Sequence, residues 1–222
     1  MGEGQGLDTL LTETSRDEGW KGQRRSGIAA IAVSIAVGLA LWLAMRWWAP
    51  PVPAMETLGD RMVFALKCCA FATLFCLATG VEAVAHERLQ SPAFDPLAGH
   101  ETRRLRVNQR YLQNTMEQIV VFAVGLFGLA AYSADGAAMR AVEATTLVWV
   151  LTRFAFWIGY HKSAAMRGIG APGMILSLLV LAYVVARAAY DLAGAAGAVG
   201  VIGGFLAIEA VLFWTTRDRA AS

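Results

Sequence analysis

At 222 residues, 57% hydrophobic and only 16% charged, the chain lies outside the composition of soluble domains, which carry about 25% charged residues. A formal net charge of +2 leaves no basic footprint for nucleic acid, so no nucleic-acid partner is expected. Cys68, Cys69 and Cys76 fall in one apolar run without a C-x-x-C spacing or a nearby histidine, so they read as inert buried thiols and no metal site is expected.

Residues 1–26 are rich in Gly, Glu, Asp and Thr and show no apolar periodicity, which predicts a disordered cytoplasmic tail. Apolar segments follow near 28–48, 62–86, 113–133, 141–161, 172–190 and 196–215. Each approaches or exceeds the roughly 20 residues that cross a bilayer. The first is too long for a secretory-signal core and no A-x-A site follows it, so it reads as a retained span. Trp47 and Trp48 at its far end suit an interfacial aromatic belt, and Pro50, Pro51 and Pro53 stop the helix there. The longest interior loop runs from about His86 to Gln109, with turns at Ser91-Pro92 and Asp95-Pro96. A tight polar turn near Ser133–Gly136 makes the third and fourth segments antiparallel neighbours. Gly170-Ala171-Pro172-Gly173 opens the fifth. The sixth is Gly-rich, with Gly194, Gly197, Gly200, Gly203 and Gly204, a composition suited to close helix packing in lipid.

Positive charge alternates with each crossing. Lys21, Arg24 and Arg25 precede the first span, Arg88 to Arg110 surround the second loop, Lys162 and Arg167 lie in the fourth, and Arg217 and Arg219 follow the last span. The intervening loops offer Arg61 and Arg140 and little else. This positive-inside pattern predicts six spans with both termini cytoplasmic, in the inner membrane if the source is bacterial.

Two polar series interrupt the apolar runs. Arg110, Asn114 and Glu117 are spaced i, i+4, i+7 and share one helical face, which Arg103 and Arg106 extend outward. A guanidinium can bind a carboxylate bidentately, and a glutamate can accept from an ammonium, so the face suits a zwitterionic, peptide-like ligand. The same groups could instead form an Arg–Asn–Glu network that locks helices together. The second series is Arg153, Phe156, Tyr160, Ser163 and Arg167, again on one face. Arg153 lies near mid-span and requires a counter-charge, for which Glu117 and Glu82 are the candidates by depth. Arg167 sits near the cytoplasmic surface, as a topology residue or as an anion-stabilising group. His86 and His161 have different neighbours and make no metal site.

With these residues the chain resembles the MAPEG family, the membrane-associated proteins in eicosanoid and glutathione metabolism. The R-x-x-x-N-x-x-E signature of the family's second core helix reads here Arg110-Tyr-Leu-Gln-Asn114-Thr-Met-Glu117. The third-helix pattern of its glutathione-using members reads Arg153-Phe-Ala-Phe156-Trp-Ile-Gly159-Tyr160-His-Lys-Ser163-Ala-Ala-Met-Arg167. The resemblance covers about residues 60–192, which would form a four-helix core. Residues 27–59 would add an N-terminal helix and loop, and 193–222 a C-terminal Gly-rich helix and short tail. It implies an all-α membrane bundle and a homotrimer that binds glutathione between subunits near the cytoplasmic face. By position, Arg110, Asn114 and Glu117 would clamp glutathione, Arg153 and Tyr160 would line the site, and Arg167 would stabilise the thiolate. Arg88 would match an arginine contributed by the neighbouring subunit. Gln118 and Phe156 stand where glutathione-using members often carry tyrosine, so two hydroxyl donors are absent. The function implied is a glutathione-dependent transferase or peroxidase acting on lipophilic electrophiles. The competing reading is a non-enzymatic membrane protein whose polar faces serve packing. A transporter-like bundle is a third, disfavoured by the lack of a detectable internal repeat.

Overall fold

The computed structural model describes residues 3–163 and 165–219. Its elements in order are α1 (Glu3–Trp48), α2 (Leu58–Ala72), a π-helical turn (Thr73–Ala78), α3 (Thr79–Leu89), a short 3-10 turn (Pro92–Phe94), α4 (Arg103–Tyr132), α5 (Gly136–Lys162), a second 3-10 turn (Met166–Gly170) and α6 (Ala171–Arg219). Among the described residues no strand forms, and five helices are long and apolar enough to cross a membrane. The tail expected to be disordered is helical from Glu3 onward, because α1 continues without a break into the first span.

The sequence explains where helices start. Thr57 accepts from the Asp60 amide (3.1 Å) while the Asp60 carboxylate accepts from the Thr57 amide (3.2 Å), a capping box at the mouth of α2. Thr102 caps α4 through the Leu105 amide (3.0 Å), and Asp135 caps α5 through Ala138 (2.8 Å). The helix α4 therefore begins about ten residues before the apolar run, on the charged stretch that includes Arg103 and Arg106. The turn at 133–135 is as short as expected and makes α4 and α5 neighbours.

The core lies between α2, α4 and α5, around buried Cys76, Phe122, Leu126, Met139 and Trp149. Phe122 and Trp149 stack at 4.6 Å. The π-helical turn, which the apolar run did not disclose, contains Cys76; the Cys76 carbonyl accepts from the buried Tyr111 hydroxyl at 3.0 Å. The helix α1 packs on the outside of this core. Trp42 donates to Thr145 (3.0 Å), and Arg140 donates to the Ala49 carbonyl (2.9 Å) just past the end of α1.

The helix α6 leaves helical geometry at Ala193 and Gly194, the latter at φ 63° and ψ −156°. That region is open essentially to glycine alone. A side chain at Gly197 would lie 2.5 Å from the Ala189 carbonyl, eight residues earlier, so the chain turns sharply there. The break separates the expected fifth and sixth segments inside one apolar stretch of 51 residues, Met166–Thr216. Beyond it Leu206, Phe213 and Trp214 are exposed, as lipid-facing residues would be.

Candidate polar chamber between α4, α5 and α6

The helix α4 turns Arg110, Gln113, Asn114, Glu117 and Gln118 toward α5, which answers with Arg153, Phe156 and Tyr160. The 3-10 turn closes the third side with Arg167, Gly168 and Gly170, followed by Met174 of α6. Together they line an open cavity of about 370 Å³. Both polar series thus converge on one chamber, and six of the seven residues singled out from the sequence line it. Arg88, expected to serve a neighbouring subunit, lies on α3 and does not line the chamber of its own chain.

Glycines let the turn approach. A side chain at Gly170 would meet the Phe156 β-carbon at 2.4 Å, and one at Gly159 would meet the Met166 carbonyl at 2.4 Å. The Ser163 hydroxyl accepts from the Met166 amide (3.2 Å) and starts the turn. Arg103 donates to the His161 carbonyl (3.0 Å) and so caps the end of α5, a favourable place for a cation. These contacts fix Arg167 opposite α4.

Within the chamber the bonds run along and across the helices. Arg110 donates to Gln113 (3.1 Å), and Gln113 donates to Glu117 (3.1 Å). Arg153, only 1% exposed, donates to the Asn114 side-chain oxygen at 2.7 Å, and Gln118 donates to the same oxygen at 3.0 Å. The Arg153 guanidinium lies 4.9 Å from the Phe156 ring centroid. Among the described residues the expected counter-charge is not supplied. Glu117 accepts from Gln113, Glu82 lies 3.5 Å from His86, and neither is within ion-pair distance of Arg153. Asn114 takes that place because its short amide reaches across the α4–α5 seam, where Glu117 is held along its own helix. Among the described residues the chamber therefore carries three guanidinium groups, Arg110, Arg153 and Arg167, against the single carboxylate of Glu117. Among the described residues, Arg153 Nε and Gln118 Oε1 are buried without a hydrogen-bond partner.

Sequence reasoning missed Gln113, which links Arg110 to Glu117, and the lining glycines Gly168 and Gly170. Gln113 was recoverable, since i+3 from Arg110 lies on the same face. The glycines were not, because their role arises from the approach of the turn to α5.

This is a multi-pass membrane helical bundle with a polar chamber built from consecutive core helices. The MAPEG family model matches residues 63–190, more than half of the chain, and the chain belongs to the MAPEG family. It is similar to transmembrane protein 79 of Bos taurus, 22% identical over 160 residues, covering 70% of this chain and 40% of that protein. Transmembrane protein 79 of Mus musculus is 22% identical over 157 residues, covering 71% of this chain and 39% of that protein. The chain thus spans about two fifths of the length of these relatives. No solved structure matches it.

Proposed function

We propose that the protein is a glutathione-dependent transferase or peroxidase acting on lipophilic electrophiles, with both termini cytoplasmic and three copies forming the working unit. The observation that carries this reading is Arg153: a guanidinium buried in a membrane helix, beside a cavity, with no carboxylate within 4.0 Å among the described residues. A charge so placed is costly unless something neutralises it, and intramembrane cations of this kind mark binding sites. With Arg110 and Arg167 facing the same space, the complementary ligand is an anion with more than one negative group. Glutathione brings two carboxylates and an ionisable thiol, and its ammonium matches Glu117.

In this reading Arg110, Asn114 and Glu117 hold the peptide, Tyr160 and Arg153 line its bed, and Arg167 holds the sulfur as thiolate, since adjacent positive charge favours the anion. The thiolate then attacks an electrophilic carbon. A sulfur–carbon bond forms, and the displaced electron pair leaves with the departing group or takes up a proton. In the peroxidase form two glutathiones reduce a hydroperoxide to an alcohol and water and leave as the disulfide. Membrane placement gives lipophilic substrates access from the side.

The Arg153–Asn114 bond across α4 and α5 favours the packing reading, but that network leaves Arg110 and Arg167 directed at the cavity without an ion pair among the described residues. Ultraviolet absorbance of purified protein titrated with glutathione tests the proposal. A thiolate band that is reduced in Arg167→Ala is expected. Absence of binding and of the band in the wild type would remove the enzyme reading.

A further inference from the structure

Gly27, Ile31, Gly38 and Trp42 recur on one side of α1 at helical spacing, and this side faces the rest of the chain. Toward the far end of the helix it is anchored on α5 and α6. Trp42 donates to Thr145 (3.0 Å), and a side chain at Gly38 would meet Pro172 at 2.8 Å. At the other end the same stripe reaches the turn that carries Arg167. A side chain at Gly168 would meet Ile31 Cγ1 at 2.7 Å and the Gly27 carbonyl at 3.3 Å. The turn thus rests on α5 through Gly170 and on α1 through Gly168.

A five-residue 3-10 turn has poor hydrogen-bond geometry and is stiff only where its neighbours make it so. Among the described residues no ion pair holds the Arg167 guanidinium, so its place is set by the backbone of the turn. Isoleucine has one strongly preferred χ1 in a helix, which makes Ile31 a rigid stop beneath Gly168. The position matters, because the attraction between two charges falls with distance and a displacement of about 1 Å at a reacting centre can cost roughly 10²-fold in rate.

We infer that Ile31 is a positioning residue: through its contact with Gly168, α1 holds the Arg167 guanidinium at the distance from the bound sulfur that keeps the sulfur ionised. Ile31 does not line the chamber and acts only through the turn. The family model matches residues 63–190, so the helix that supplies this support lies outside the matched core. The inference rests on the proposed function and adds to it a residue about 80 positions before the first of the two polar series.

Two variants of the full chain in nanodiscs open the contact from opposite sides. Ile31→Ala removes the atoms under Gly168, and Gly168→Ala drives a methyl into Ile31. Below the thiol pKa, each is expected to lower the thiolate fraction at saturating glutathione at least about threefold, an upward shift of about half a unit, because a displaced cation stabilises the anion less. Joined in one chain they are expected to restore the fraction, since the first substitution makes the room that the second fills. Val33→Ala, on the exposed side of α1, is expected to leave it unchanged. A contact that serves packing alone would lower the unfolding temperature and leave the thiol titration where it was. That result, or a double variant no better than the single ones, would overturn the inference.

Amide hydrogen exchange over residues 165–170, measured without glutathione, reads the hold on the turn separately. Protection is expected to fall at least about tenfold in each single variant and to return in the double one. Should Ile31→Ala not fold, exchange in Gly168→Ala decides the matter alone. A wild-type thiolate band with unchanged protection in the variants removes the positioning role and leaves the glutathione reading intact. A wild type without the band removes the glutathione reading and, with it, the role of Ile31 toward the sulfur, whatever the exchange shows.

Discussion

Arg153 is the residue on which the packing and binding readings diverge. If its purpose is to bond its neighbours, removing it takes one donor from the Asn114 side-chain oxygen and one from the Gly170 carbonyl, and stability falls by about 1–3 kcal/mol. If it is an unneutralised cation kept for a ligand, replacement by an apolar group of similar length is neutral or stabilising. Thermal unfolding of Arg153→Met is therefore expected at the wild-type temperature or above, while glutathione affinity measured by calorimetry falls at least about tenfold, one lost charge-assisted bond. The absent hydroxyls give a second expectation. Phe156 packs its ring 5.7 Å from that of Tyr160, on the chamber wall. Phe156→Tyr places a donor there, and Gln118→Tyr another, so each is expected to tighten glutathione binding several-fold, in line with about 1 kcal/mol for a net hydrogen bond. At this scale the sequence was informative where spacing along one helix decides the geometry. Arg110, Asn114 and Glu117 share a face because 3.6 residues make a turn. The partner of Arg153 was not legible, since it depends on how α4 and α5 register across their seam.

Among the elements, the turn Met166–Gly170 has the least tolerance. It is held by Gly159 on one side and Gly170 on the other, and at Gly159 the obstructing atoms are backbone. Backbone has no alternative rotamer, so Gly159→Ala must move the turn. A cost of about 1–3 kcal/mol is expected in unfolding measurements, together with a weakened thiolate band, because Arg167 moves with the turn. The break in α6 gives a separate expectation. Gly194→Ala forces a side chain into a region used essentially by glycine, costing about 1–3 kcal/mol or reorienting the last helix, which cysteine-accessibility mapping across 196–215 would detect. The sixth segment was legible as an apolar run, and so was its glycine content. Their combination into a sharp turn was not, because periodicity carries no information on a single φ. The π-helical turn at Thr73–Ala78 escaped for the same reason: hydropathy is the same whether a turn has four residues or five.

For the whole molecule, composition and charge alternation marked a multi-pass helical membrane protein, and the family match over residues 63–190 agrees. What α1 does was hidden. As a sequence it is one more apolar run; folded, it reaches the Arg167 turn and walls an apolar groove beside a polar chamber. The central claim is that the chamber binds glutathione and holds its sulfur ionised. Stopped-flow ultraviolet absorbance with full-length protein in nanodiscs measures this most directly. A saturable thiolate band is expected in the wild type, and one markedly smaller in Arg167→Ala at saturating glutathione. A wild type that shows neither saturable binding nor a thiolate band would contradict the account.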